Sequence, residues 1–378
     1  MTRKPTIIAY SNFIFKREDP SPNADLRRLA VLELNGQKIN ETNPIVAINF
    51  KSEYIYRLHS YLEKQSIVDT NQKPSIDFDA LFALKKDFNL LAQLKVITTN
   101  PEKTGEASDD FNIILTNYPN FNWLNESTGI YSMPATQQYT ATTRPDSRLV
   151  STTQPLFLST LINFNEQIAT YKVQAIANFE DNSTYIFIVT ELNEYAESGI
   201  DLNLCAITLT TTITNILTLI DTTLYAKEVK SITLTILTDG PDYTNQPISE
   251  PQTYHIDHAF YPEEQIIIYK NQIGVYDVLR TTGQIVKDND RTVESFTNNN
   301  TEKDLKIKNR KKISINLGIE NADQSVEICE AISASKNIYL LENKQFIQIL
   351  LASNSLKPYD SNKQADDPTL EFKYAQIT

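Results

Sequence analysis

Residues 231–238 read Ser-Ile-Thr-Leu-Thr-Ile-Leu-Thr, an alternation that sets Ile232, Leu234 and Ile236 against Thr233 and Thr235. A period of two is the repeat of a strand with one dry and one wet face, so a chain dominated by it is committed to sheets. The same alternation recurs at 28–34, 171–179, 185–191 and 206–214. Turn chemistry separates the runs. Asn35-Gly36 follows the first, Glu180-Asp-Asn-Ser lies between the second and third, and Asp239-Gly240-Pro241 ends the threonine-rich strand. The stretch 149–260 thus offers about six short strands, which predicts an antiparallel sandwich or jelly roll.

Two segments carry a helical period instead. In 77–94, Phe78, Leu81, Phe82, Phe88, Leu91 and Ala92 recur at intervals of three and four, with Ser75 and Asp77 as capping residues. A shorter amphipathic stretch carries Val326, Cys329 and Ile332. Residues 95–148 hold the single tryptophan, Trp123, in a polar, proline-punctuated run that reads as a long exposed excursion. The expected fold is mainly β: antiparallel β-sandwich modules with one or two short helices packed on sheets. Three domains follow: an N-terminal β-rich domain at 1–148 with one helix and the excursion, a sandwich at 149–260, and a C-terminal α+β module at 261–378.

Composition narrows the chemistry. Only eight glycines occur, none in a G-x-G or P-loop frame, which removes support for nucleotide and dinucleotide folds. A formal net charge of -12 repels phosphate backbones, so nucleic acid is not an expected partner. No apolar run approaches the roughly 20 residues of a membrane-spanning helix. The basic start Met1-Thr-Arg-Lys is followed by an apolar run too short for a secretory signal. Cys205 and Cys329 stand far apart, as core residues and not as a disulfide framework. Nineteen tyrosines favour half-buried pleated surfaces and contact faces.

Catalytic and metal signals are weak. His255 and His258 are three apart, but the 253–260 run reads as a strand, where that spacing sends them to opposite faces. No G-x-S-x-G elbow or H-E-x-x-H helix occurs. Acid pairs such as Asp288 with Asp290, or Asp109 with Asp110, arise by chance among 47 acidic residues. No cofactor, metal or enzymatic activity is therefore expected. The basic run Lys306, Lys308, Arg310, Lys311 and Lys312 reads as a solvated loop entering a strand, and as a source of subunit-contact charge.

Two stretches carry a resemblance. Asn271-Gln-Ile-Gly-Val-Tyr-Asp-Val-Leu, after the strand Gln265-Ile-Ile-Ile-Tyr-Lys, resembles the N-x-x-G-x-[YFW]-D strand-turn element of structural virion proteins of phages infecting Bacteroidetes and marine bacteria. In it Gly274 permits the turn, Tyr276 packs on the sheet, and Asn271 and Asp277 bind backbone at the bend. The order of helix, hairpin and closing strand over 326–375 is similar to the end of the same proteins. The resemblance implies a structural protein of the tail or tail tip, assembled in the host bacterial cytoplasm. Its partners would be neighbouring virion proteins and copies of itself in a cyclic assembly.

Two other readings stand beside that one. In a carbohydrate- or receptor-binding module, Tyr118, Phe121, Trp123 and Tyr131 would stack on the sugars of a host surface glycan. In a hydrolase of host surface polymer, paired carboxylates would flank the scissile bond.

Overall fold

The computed structural model describes residues 6–9, 14–18, 29–34, 36–42, 44–46, 48–50, 53–57, 74, 76, 82–87, 92–100, 103–115, 124–125, 130–131, 140, 142, 144–162, 170–193, 205–220, 228–240, 243–271, 274–298, 301–318, 322–335, 337–352 and 368–375. The chain is mainly β, in several antiparallel sheets.

The N-terminal region supplies β1 (Thr6–Ala9), β2 (Ile14–Glu18), β3 (Leu29–Leu34), β4 (Gln37–Lys38), β5 (Ile45–Val46), β6 (Ile48–Phe50), β7 (Glu53–Arg57), β8 (Ala83–Asp87), β9 (Ala92–Asn100), β10 (Lys103–Leu115), β11 (Leu124–Asn125) and β12 (Ile130–Tyr131). One sheet runs β1-β10-β9-β3-β4 with β5 added to β3; β2-β7-β6 and β11-β12 are separate. Gly36, at φ 81°, makes the turn expected of Asn35-Gly36. Asn40 is buried and ties that hairpin together. Its Nδ2 donates to the Ala30 carbonyl at 3.1 Å, and its Oδ1 accepts from the Leu32 amide at 2.7 Å.

The helix expected over 77–94 is absent where the segment is described: Ala83–Asp87 and the start of Ala92–Asn100 are strands, and 77–81 and 88–91 lie outside the described residues. Its apolar spacing is short enough to fit either period, and strand pairing decides. β8 pairs with a strand of the sandwich, while β9 pairs on both sides and buries Val96 and Thr98. The exposed excursion over 95–148 is corrected too. Its first part forms the β9–β10 hairpin, in which Asp109 and Asp110 lie opposite Val96 and Lys95.

The middle region supplies β13 (Ser147–Val150), β14 (Pro155–Ile162), β15 (Thr170–Phe179), β16 (Thr184–Asn193), β17 (Cys205–Thr212), α1 (Ile213–Leu217), β18 (Val229–Gly240), β19 (Tyr243–Pro247) and β20 (Gln252–Ile256). One sheet runs β13-β20-β18-β15-β16 with β19 on β18, and the other runs β14-β17-β8. Their inner faces share a core. Val173, Ala175, Ile232, Leu234 and Ile236 meet Leu156, Leu158 and Leu209, with Ile213 and Ile216 of α1 at one end. The alternation of β15 is complete, each odd residue from Tyr171 to Phe179 buried and each even one half-exposed. The threonine run of β17 stops at Thr212, whose hydroxyl accepts from the Asn215 amide and caps α1. The sandwich therefore crosses the boundary expected at 148/149. It takes β8 from the N-terminal stretch, and that boundary falls inside β13.

The C-terminal region supplies β21 (Gln265–Lys270), β22 (Tyr276–Thr281), β23 (Ile285–Asn298), β24 (Thr301–Asn316), α2 (Ala322–Ala334), β25 (Ile338–Glu342), β26 (Gln345–Leu351) and β27 (Thr369–Tyr374). They form one seven-stranded sheet in the order β22-β21-β25-β26-β27-β24-β23. As expected, α2 packs on it. Ile328, Cys329, Ala331 and Ile332 cover Ile267, Leu279, Ile313, Ile315, Leu340 and Phe372. On the other face Ile266, Ile268, Val278 and Tyr339 form a second cluster that meets Phe157 of the sandwich.

Candidate functional site

The 271–277 turn sits where the sandwich meets the C-terminal sheet. Asn271 is buried at the end of β21, and its Oδ1 accepts from the amides of Gly274 at 3.1 Å and Val275 at 3.2 Å. Its amide donates to the Val275 carbonyl at 2.8 Å, closing the loop, and Gly274 adopts φ 98°, a region that disfavours side chains. The Asn271 Nδ2 donates to Asp277 Oδ2 at 2.8 Å. Asp277, 2 % exposed, takes its other bond from outside the turn: Thr142 Oγ1 donates to its Oδ1 at 2.6 Å. Tyr276 lies against Phe157 and Tyr339, with ring centroids 5.7 Å and 6.3 Å away. The four motif residues are thus brought together, and two of them, Tyr276 and Asp277, make the seam.

A second tie runs beside it. Arg280 is buried, with Nη1 donating to Asp257 Oδ2 at 2.7 Å and Nη2 to Glu264 Oε2 at 2.8 Å, while its guanidinium lies 5.0 Å from the Tyr261 ring centroid. Burial works against the Asp257 carboxylate, but the Ala259 amide, then Arg280 and the Tyr261 hydroxyl, hold its pKa below the usual range. On the sandwich side Arg148 ties β13 to β20, stacked over Tyr254 at 5.0 Å and donating to Gln252 at 2.8 Å, which in turn donates to Asp146 at 2.6 Å. Burial pushes the Tyr254 hydroxyl up, Arg148 pulls it down and Asp277 pushes it up again. Buried charges that are paired in this way fix an orientation more than they add stability.

The basic run is not a loop, as expected above, but part of β24. The register sets Lys312 opposite Asp288, Lys311 opposite Asn289, Arg310 opposite Asp290, Lys308 opposite Thr292 and Lys306 opposite Glu294. Among the described residues β24 pairs with β27 only over Lys312–Asn316, and beyond that point β23 and β24 continue as a two-stranded ribbon. At the ribbon's root lies an open pocket of about 470 Å³ lined by residues including Lys287, Lys311, Lys312, Glu342 and Tyr374. Lys287 Nζ donates to Glu342 Oε1 at 3.2 Å and the Tyr374 hydroxyl donates to the same oxygen at 3.0 Å. Burial, then Glu342, push the Tyr374 hydroxyl up to about 12. The pocket offers ammonium groups and a hydrogen-bonded carboxylate to a polar, charged surface.

The remaining candidates are scattered. Tyr118, Phe121 and Trp123 lie outside the described residues, and Tyr131 falls in the β11–β12 hairpin. The strand read over 253–260 ends at Ile256. His255 Nε2 lies 2.9 Å from Ser147 Oγ, while His258, beyond the strand, lies 3.4 Å from Glu228 Oε1. Among the described residues no group of three or more His, Cys, Asp or Glu is placed to hold a metal ion, and no helix is long and apolar enough to cross a membrane. Cys329 is buried, which pushes its thiol up to about 11. Sequence reading missed Thr142 and Arg280. Thr142 carries no local signal, whereas Arg280 stands in the apolar run Val278-Leu279-Arg280, where a charge needs a buried partner.

No protein-family model matches the chain, and no curated protein matches it. Among solved structures it is similar to Drosophila OTK, extracellular domains 3–5, at 8 % identity over 83 % of this chain and 90 % of that one, with a TM-score of 0.20.

Proposed function

We propose that this protein is a structural subunit that works by self-association, of the kind built into the tail or tail tip of a bacteriophage. The observation that carries the reading is the β23–β24 ribbon. Its strands run 14 and 16 residues, and β24 pairs with the sheet over only five of them. A two-stranded ribbon is marginal by itself in water and gains from a surface to pair with. The seam at Asp277 and Arg280 supports the same reading, because a subunit that passes load or register to its neighbours needs its modules locked in one orientation. The likeness of 271–279 and 326–375 to phage structural proteins supplies the setting. A tail is built around an axis, and heterologous contacts repeated around an axis close into rings.

Electron microscopy of the purified protein tests this. Closed rings or stacked rings are expected. Isolated single subunits at every concentration, with and without tail proteins from the same source, would overturn it.

A further inference from the structure

On one face of the ribbon the positions along its two strands differ in charge, and that difference selects one way for copies to join. Residues directly opposite each other in an antiparallel pair share a face. One face of the ribbon therefore carries the positions Asp288, Asp290, Thr292 and Glu294 along β23 and Lys312, Arg310, Lys308 and Lys306 along β24; past a bulge at Glu294/Ser295, Phe296 lies opposite Lys303. The acidic row belongs to β23, which among the described residues pairs only with β24 and so forms the outer edge of the whole sheet. Val286 and Asp288 on that edge are exposed, Val286 by 53 %. The basic row belongs to β24, whose other edge is paired, among the described residues, with β27 only at the root. The ribbon extends past the sheet by the ten residues from Asn289 to Asn298, about 33 Å at the usual strand rise.

We infer that the β23 edge of one copy pairs with the β24 edge of the next, laying the acidic row of one subunit along the basic row of its neighbour. This rests on the self-association proposed above and names its interface. Pairing β23 to β23 would set acid against acid, and β24 to β24 base against base; like charges directly opposite are destabilising. On that face only the β23-to-β24 contact is complementary, and it leaves one β23 edge and one β24 edge on the outer sides of a pair. Such a contact is heterologous: it cannot stop at two copies and must close into a ring or continue. Around the ring the ribbons form one continuous antiparallel sheet with rows alternating in sign. Within each subunit the register already sets the same rows at opposite positions, so the contact between copies repeats the pattern of the hairpin.

The test is a charge swap that keeps every hairpin internally complementary: Asp290→Lys and Glu294→Lys together with Lys306→Glu, Lys308→Glu and Arg310→Glu. The swapped protein should assemble as the wild type does, because its rows still match between identical copies. Mixed with wild type, it should sort, since a mixed contact puts like rows together. Native mass spectrometry of an isotope-labelled mixture should then show mixed oligomers at least about tenfold below the statistical fraction. Statistical mixing, or a swapped protein that stays monomeric while the wild type assembles, overturns the inference and leaves the self-association standing. A wild type that is monomeric throughout overturns both. As an independent arm, the Lys306→Glu/Lys308→Glu/Arg310→Glu variant and the Asp290→Lys/Glu294→Lys variant should each fail to assemble alone and co-assemble when combined; absence of co-assembly between the two folded variants counts against the inference.

Discussion

Replacing Asn271 with Ala should cost the C-terminal module about 3–5 kcal/mol, and the figure follows from what the side chain holds. It donates to the buried Asp277 carboxylate at 2.8 Å and accepts from the amides of Gly274 and Val275 at 3.1 and 3.2 Å. A hydrogen bond to a charged group contributes roughly 1.5–3 kcal/mol and a neutral one about 1 kcal/mol. The Gly274 amide keeps a second acceptor in the Asn271 carbonyl at 3.0 Å, so its loss is partial. The Val275 amide has no such reserve in the turn, and Val275 is 7 % exposed, so leaving that amide unpaired costs about 1–3 kcal/mol. Urea unfolding monitored in the C-terminal module, whose Tyr276 and Tyr339 report on the cluster beside the turn, measures the change. Asp277→Ala should cost a similar amount, and the double variant should cost less than the sum, because the two residues share one bond. A change under about 0.5 kcal/mol for Asn271→Ala, the range of ordinary surface sites, would refute the reasoning.

Removing the Arg280 cation should be felt in both stability and its acid limb. Arg280→Met leaves Asp257 and Glu264 without their shared partner and should cost about 3 kcal/mol. Because the folded pKa of Asp257 is lowered, its contribution is present above the unfolded carboxylate range and lost as pH falls through the folded value. Acid titration of the variant should show that limb flattened; an unchanged acid limb would remove Arg280 from the tie. At the opposite extreme, Tyr374 titrates at about 12 in the fold, so its stabilising contribution is full below pH 10 and lost as pH rises through 12. Tyr374→Phe should therefore lose less stability than wild type between those values, and an equal loss would contradict the Glu342 contact. In a Cys205→Ala background, Cys329 should react with a thiol reagent only as fast as the C-terminal module opens, since its thiol is buried and raised to about 11. Rapid labelling of the folded protein at neutral pH would contradict that burial.

The sheets were legible because their signal is local. β15, β16 and β18 follow from alternation alone, and the Asn271 turn from residues that bond one another within one bend. α2 was legible for the same reason, since Cys329 and Ile332 mark one face. The helix expected over 77–94 failed where the deciding interaction is remote: β8 is a strand because β17 lies beside it, more than 100 residues away in sequence. The basic run misled in a related way. Lys306, Lys308 and Arg310 look like a charged loop until the register shows Glu294, Thr292 and Asp290 opposite them. The one alternating stretch there, Lys306-Ile307-Lys308, is too short to announce a strand of 16 residues. Thr142 could not be read at all, because its partner, Asp277, is 135 residues distant.

The central claim is that copies of this chain assemble with one another through complementary charge, and sedimentation velocity across concentration and salt tests it most directly. At low ionic strength the account predicts one dominant species whose mass is an integer multiple of 43.0 kDa. That species should dissociate as salt shortens the screening length from about 10 Å at 0.1 M to about 3 Å at 1 M. A 43.0 kDa monomer at every concentration and every salt would contradict it.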